Sequence, residues 1–132
     1  MKIKGILVDV EKGEIEKCEV ENNIDEFYRI LKCRGIECPT RILSGQKIII
    51  ICDDEGAVNE KVSFPPAVVG IQKKNGKIVE QIFGNAFICN FNGVDDFASL
   101  SEKEINRIME CQEIFYAPKY GDILFKALVA EF

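Results

Sequence analysis

The chain has 132 residues, 47% of them apolar and 30% charged, and its formal net charge is −5. This length and composition fit one globular domain, residues 1–132, that can bury an ordinary core, and they exclude a disordered chain. The acidic charge, with no basic run, argues against binding to duplex nucleic acid, because such binding depends on neutralising phosphates.

The sequence contains no histidine, which limits the chemistry open to it. Ser–His and Cys–His nucleophilic pairs are excluded, and the commonest ligand of zinc and iron is missing. Among the six cysteines the closest pair is Cys33 and Cys38, which is not a C-x-x-C motif. We therefore predict mostly buried structural thiols, with no catalytic residue, no metal ligand and no cofactor.

The N-terminal residues predict no secretory signal, because Asp9 interrupts them before an apolar segment of sufficient length can form. The longest apolar run, Ile48–Cys52, is far too short to span a bilayer. We expect a cytoplasmic protein with reduced thiols that does not bind a membrane.

The first elements are a predicted hairpin and a helix. Residues 2–10 read as a strand and residues 14–20 as its returning partner. Asn23, with Glu26 three residues later, predicts a helix start, and an apolar stripe at helical spacing follows. Gly35 is expected to end this helix.

The middle of the chain predicts further strands. Residues 36–43 fit a strand that Pro39 confines to a sheet edge or a bulge. Residues 47–52 include four consecutive isoleucines, which indicates a central strand covered on both sides. Residues 57–66 are expected to be irregular.

A second hairpin is predicted around Asn75–Gly76, which lies between strand-like residues 67–72 and 78–83. Residues 86–91 predict one more strand. The hairpin turn carries lysines on both sides, which is typical of a solvated tip.

The last elements are a helix and a strand. Ser101 and Glu104 form a capping box in front of an amphipathic helix, and residues 123–132 are apolar enough for a final strand. The fold class that follows is α+β, a largely antiparallel sheet of about six to eight strands with two helices packed on it, both expected on one face.

Two acidic turns are candidate ligand-binding positions. Asp53, Asp54 and Glu55 follow the isoleucine-rich strand, and Asp95 and Asp96 follow a later strand and turn. If the two strands are neighbours, these carboxylates can converge on Mg²⁺ or Ca²⁺. The alternative is that both are solvated turns, chosen for their backbone conformation.

Asn85, after Gly84, is a third candidate. Asn and Gly beside a short strand can hold a ligand through backbone groups, although no phosphate-binding motif is present. The alternative is that they shape a bulge or a turn.

Three segments carry a family resemblance: residues 48–56, 83–91 and 95–101. Together they resemble a family of small uncharacterised domains from clostridia-like Firmicutes and their phages and conjugative elements, over residues 1–110. The resemblance implies no activity and no catalytic residue. It implies a cytoplasmic protein carried by mobile DNA, of the kind that acts as an accessory module on a host or element factor.

The preferred hypothesis is therefore a non-enzymatic binding or accessory protein of a bacterial mobile element, with a protein partner or a small ligand. The alternative is a metal-dependent enzyme that uses the clustered carboxylates. A third hypothesis is a homodimer that pairs through an open sheet edge.

Overall fold

The computed structural model describes residues 1–55, 65–91, 96–117 and 123–131. Two helices lie in these ranges, Ile24–Leu31 (α1) and Glu102–Met109 (α2). The strands of the same ranges are Lys2–Asp9 (β1), Glu14–Glu21 (β2), Ile36–Glu37 (β3), Thr40–Leu43 (β4), Gln46–Asp53 (β5), Pro66–Ile71 (β6), Ile78–Phe83 (β7), Ala86–Phe91 (β8), Phe97–Ala98 (β9), Gln112–Ala117 (β10) and Ile123–Glu131 (β11).

The strands form one mixed sheet in the order β2-β1-β8-β5-β4-β11-β6-β7. Outside this order, β3 pairs with β5, β9 with β8 and β10 with β11. The described residues thus contribute eleven strands, more than the six to eight predicted. The sheet is mostly antiparallel, as expected, but β11 runs parallel to β6. Pro39 accounts for one added strand, because it divides the predicted strand 36–43 into β3 and β4.

Strand β5 lies in the middle of the sheet and is buried on both faces, as its isoleucines predict. Ile48 and Ile50 point into one core, which also holds Ile105 of α2. Ile49 and Ile51 point into a second core.

The second core also holds Phe27 and Leu31 of α1. The two helices therefore cover opposite faces, and the prediction that both lie on one face is wrong. The physical reason is that a strand with isoleucines on both sides needs a cover on both sides.

Helix α1 begins as predicted but ends earlier. The Asn23 side chain accepts a hydrogen bond from the Glu26 amide at 2.8 Å. The helix ends at Leu31, and Lys32 takes the left-handed conformation with φ of 54°. The predicted end at Gly35 is wrong. Gly35 instead permits a close approach, because a Cβ there would lie 2.6 Å from an Asp54 carboxylate oxygen.

Helix α2 confirms the predicted capping box. The Ser101 amide donates to Glu104 Oε1 at 2.8 Å, and the Glu104 amide donates to Ser101 Oγ at 3.1 Å. The Glu104 carboxylate also accepts hydrogen bonds from Gln46 and Asn90. These bonds, the Ser101 amide first, lower the pKa of Glu104 below its usual value, and they tie the start of α2 to β5 and β8.

The two predicted hairpins are present. β1 and β2 pair along their whole length, and β6 pairs with β7 across a turn in which Gly76 has φ of 69°. Of the segment predicted to be irregular, residues 57–64 lie outside the described residues and Pro66 begins β6.

The C-terminal strand is present as predicted to Glu131; residue 132 lies outside the described ranges. Its second half lies between β4 and β6, pairing Glu131 with Ile42 and Leu128 with Val68. Its first half pairs with β10. β10 and the first half of β11 therefore form a hairpin, the β10–β11 hairpin. Neither helix of the described ranges is long and apolar enough to cross a membrane.

Candidate functional site

The carboxylates at the end of β5 lie beside a small polar pocket. Asp53 is buried, with 5% exposure, and its Oδ1 accepts a hydrogen bond from the Glu55 amide at 2.9 Å. Asp54 and Glu55 are exposed. Asp53 and Asp54 line a pocket of about 180 Å³ together with Glu37 and Glu80.

Arg41 also lines this pocket and forms a two-pronged ion pair across it. Its Nε donates to Glu80 Oε2 at 2.8 Å and its Nη2 to Glu80 Oε1 at 2.5 Å. This pair raises the pKa of Arg41 and lowers the pKa of Glu80. Because β4 and β7 are not neighbours in the sheet, the pair ties together two strands that no ladder joins.

Asp96 lies far from this pocket. β5 and β8 are neighbours, as the metal hypothesis requires, but they are antiparallel, with Cys52 opposite Ala86. The end of β5 is therefore beside the start of β8, whereas β9, which follows Asp96, pairs with the end of β8.

The Asp96 carboxylate accepts hydrogen bonds from the Phe97 amide and the Asn22 side chain, both at 2.8 Å. Asp95 lies outside the described residues. Within the described ranges, no three Cys, Asp or Glu side chains are placed so that they could hold one metal ion. The structure thus brings Asp53 and Asp54 together with Glu37 and Glu80, and not with Asp96.

Asn85 is buried in this fold and accepts a hydrogen bond from the main chain. It is 4% exposed, and its Oδ1 accepts a hydrogen bond from the Val10 amide at 3.0 Å. This bond fixes the end of β1 against the start of β8. This contact is the one expected of a residue that shapes the chain, while ligand binding by Asn85 stays a prediction.

The cysteines are less buried than predicted. Only Cys52 and Cys89 are buried; burial raises the pKa of each to about 12, so both are neutral thiols at pH 7. Cys38 is exposed. All six lie in the described ranges and none forms a disulfide. The other three are half-buried: Cys18, Cys33 and Cys111.

A cleft with a volume of about 380 Å³ lies between the β1–β2 turn and the β10–β11 hairpin. Asp9 shapes the turn, because its Oδ1 accepts hydrogen bonds from the amides of Glu11 and Lys12, both at 3.1 Å. The residues that line the cleft are Val10, Glu11, Lys12, Gly13, Pro65, Ile114, Leu124, Phe125 and Lys126.

The hairpin presents large apolar side chains to the outside. Ile114 pairs with Lys126 and Tyr116 with Leu124, so these four side chains share one face. Ile114 is 65% exposed, Tyr116 63% and Leu124 70%. We call this surface the hairpin face. On the opposite face the rings of Phe115 and Phe125 stack with centroids 5.5 Å apart.

The hairpin face was not predicted from the sequence, because no strand was predicted at the position of β10. Strand β10 starts three residues after α2 ends, without the Gly or Pro that usually marks a new element. The run Ile114–Tyr116 could have predicted this strand, because β-branched and aromatic residues favour strands. The apolar residues around Phe125 could have indicated its partner strand.

The chain belongs to a family known by its description as a domain of unknown function, DUF3846. The family model matches residues 1–113. Most of the β10–β11 hairpin follows the matched residues. No match was found among curated proteins or among solved structures.

Proposed function

We propose that this chain is a non-enzymatic binding protein whose partner is a protein, bound at the cleft beside the hairpin face. The observation that carries the proposal is the exposure of Ile114, Tyr116 and Leu124 on one face of the β10–β11 hairpin. Grouped exposed apolar side chains of this size are typical of interaction sites.

Contact of these apolar side chains with water is unfavourable. Fully burying one Ile or Leu side chain contributes about 1.5–3 kcal/mol. Leu124 and Ile114 both line the cleft, so an apolar side chain inserted there would bury both. A stretch of polypeptide fits such a cleft better than a small polar metabolite does.

The charged residues at the rim of the cleft indicate which residues should flank the apolar segment of the partner. Lys12 and Lys126 both line the cleft, while Glu11 forms an ion pair with Lys32 at 3.6 Å. We expect an apolar segment that is followed or preceded by an acidic residue. Negative charges in place of Lys12 and Lys126 would repel the acidic residue and weaken binding.

The biological setting proposed is the cytoplasm of a bacterium that carries a mobile element or phage, with this chain as an accessory protein. The resemblance of residues 48–56, 83–91 and 95–101 supports this setting. The net charge of −5 argues against duplex nucleic acid as the partner. A small apolar ligand in the same cleft is the second candidate for the occupant.

A metal-dependent enzyme has less support. The hypothesis needed Asp53 and Asp96 near one ion, and the antiparallel pairing of β5 with β8 separates them. In the pocket beside Asp53, both carboxylate oxygens of Glu80 already accept hydrogen bonds from Arg41.

The test begins with capture of partners from the host by the tagged chain, followed by calorimetry with the purified partner. Leu124→Asp and Lys12→Glu should each weaken partner binding about tenfold or more. The matched control is Ile78→Asp, an exposed apolar position on β7, which should bind normally. Equal binding by wild type and both cleft variants would contradict the proposal.

A further inference from the structure

The described residues that line the cleft beside the hairpin face differ in depth and in polarity together. Those that are buried or half-buried are all apolar, namely Pro65, Val10 and Phe125. Those that are charged are all exposed, namely Glu11, Lys12 and Lys126. Such a cleft suits a group that is apolar at one end and charged at the other, because the apolar end leaves water while the charged end stays at the surface.

The rim of the cleft carries positive charge, although the whole chain has a net charge of −5. Lys12 belongs to the β1–β2 turn and Lys126 to β11, and within the described residues neither forms an ion pair. The charge of Glu11 is balanced by Lys32, whose Nζ lies 3.6 Å from Glu11 Oε2. The charge that complements this rim is therefore negative.

The volume of the cleft, about 380 Å³, limits the size of the occupant. Ligand pockets usually have volumes of about 300–1,000 Å³, so this one is small. Two turns of α-helix, about 11 Å long and about 10 Å across, fill roughly 850 Å³. A whole helix therefore does not fit, whereas a short extended segment or the end of a chain does.

We propose that the cleft binds the C-terminus of its partner protein, with the last apolar side chain inside the cleft and the α-carboxylate at the rim with Lys12 and Lys126. This inference rests on the proposed function and names the part of the partner that is bound. Capture of a C-terminal carboxylate is an established way for proteins to recognise peptides.

A chain end is favoured over an internal segment because its last residue supplies both the apolar group and the charge. In an extended internal segment, neighbouring side chains point to opposite sides. An acidic side chain next to the inserted apolar one would therefore point away from the cleft. The α-carboxylate belongs to the main chain, which lies at the rim when the side chain enters the cleft.

Synthetic peptides test the inference without a known partner. The probes carry fluorescein at the N-terminus and have the sequence GSGS followed by Ile-Leu, Ile-Val or Ile-Phe, each made as the free acid and as the C-terminal amide. Fluorescence anisotropy with the full chain measures the dissociation constants. We expect at least one free acid to bind about tenfold more tightly than its amide, because the amide lacks the charge that the lysines complement.

The preference for the free acid should depend on the charge at the rim. Lys12→Glu should bring the acid-to-amide ratio of affinities to about one or below, because it replaces attraction by repulsion. The matched control is Lys103→Glu, the same change of charge at an exposed position of α2 that does not line the cleft, and it should keep the ratio. An unchanged ratio in Lys12→Glu would overturn the placement of the carboxylate at this rim.

The inference and the proposed function fail separately. Equal affinities of acid and amide, both weakened by Leu124→Asp, would overturn the C-terminal inference and leave an internal apolar segment as the occupant. Peptide binding that Leu124→Asp leaves unchanged would contradict the cleft as the binding site, and with it the proposed function. Binding of decanoate with the same dependence on Lys12, while no peptide binds, would overturn a protein C-terminus as the occupant, and so would the absence of binding by every peptide.

Discussion

The centre of the sheet and the β10–β11 hairpin use the same kinds of side chain in opposite ways. In β5 the isoleucines are buried in two cores, one under each helix. In the hairpin Ile114 and Leu124 are exposed. The difference teaches that apolar content alone does not identify the core; what matters is whether another layer covers the residue.

The largest effect expected from this comparison is on stability. Ile50→Ala should lower the free energy of unfolding by about 2–5 kcal/mol, because Ile50 is fully buried and its removal leaves a cavity. Leu124→Ala should change it by less than about 0.5 kcal/mol. Urea unfolding of both variants measures the contrast. Equal losses would mean that the hairpin face is covered in the monomer.

A second prediction concerns close packing in the sheet body. A Cβ at Gly5 would lie 2.6 Å from Phe87 Cζ and would also meet the Ile88 carbonyl oxygen. Gly5→Ala should therefore destabilise the protein by about 1–3 kcal/mol.

The matched control is Gly45→Ala, where nothing lies within 4 Å and only the positive φ of 75° opposes a side chain. Gly45→Ala should lower the free energy of unfolding by about 1 kcal/mol. Thermal unfolding of the pair measures both effects. A larger loss at Gly45 than at Gly5 would contradict the packing of β1 on β8.

The smallest effect expected is electrostatic and depends on pH. Arg41 lowers the pKa of Glu80 below its usual 4.5. A lowered folded-state pKa stabilises the protein fully above the unfolded-state pKa, and this stabilisation is lost as the pH falls through the folded-state pKa. The two side chains are about a quarter exposed, so solvent screens the ion pair. We expect it to contribute about 1 kcal/mol to the free energy of unfolding.

Glu80→Gln should remove that stabilisation at pH 7 and have little effect in acid, below the folded-state pKa of Glu80. Glu102→Gln, which breaks the exposed pair with Lys17, is the control and should have almost no effect at either pH. Urea midpoints at the two pH values measure the difference. The same loss from both variants would contradict the linking role of Arg41 and Glu80.

Much of the fold could be predicted because its signals are local. The start of α1 at Asn23, the capping box of α2 and the Asn75–Gly76 turn each depend on residues a few positions apart. The double-sided burial of β5 follows from its own four isoleucines. The predicted end of α1 at Gly35 was wrong, because a glycine is needed there for the close approach of Asp54, nineteen positions away.

The candidate site was harder to predict. That Asp53 and Asp54 lie near each other follows from sequence, but Glu37, Arg41 and Glu80 join them through β3, β4 and β7. The distance of Asp96 from the pocket beside Asp53 depends on the direction in which β8 runs along β5. The residues near Asp96 do not indicate that direction. The hairpin face requires β10, whose pairing with β11 decides that Ile114 and Leu124 point outward together.

By itself, the sequence determined the helix starts, the main hairpins and the central strand, since these depend on hydrogen bonds and alternation within a short stretch. Only the tertiary structure decided the order of the strands, the insertion of β11 between β4 and β6 and the placement of the helices on opposite faces. The physical reason is that these features depend on burial shared by residues far apart in the chain, and a strand's own pattern does not specify which neighbour will cover it.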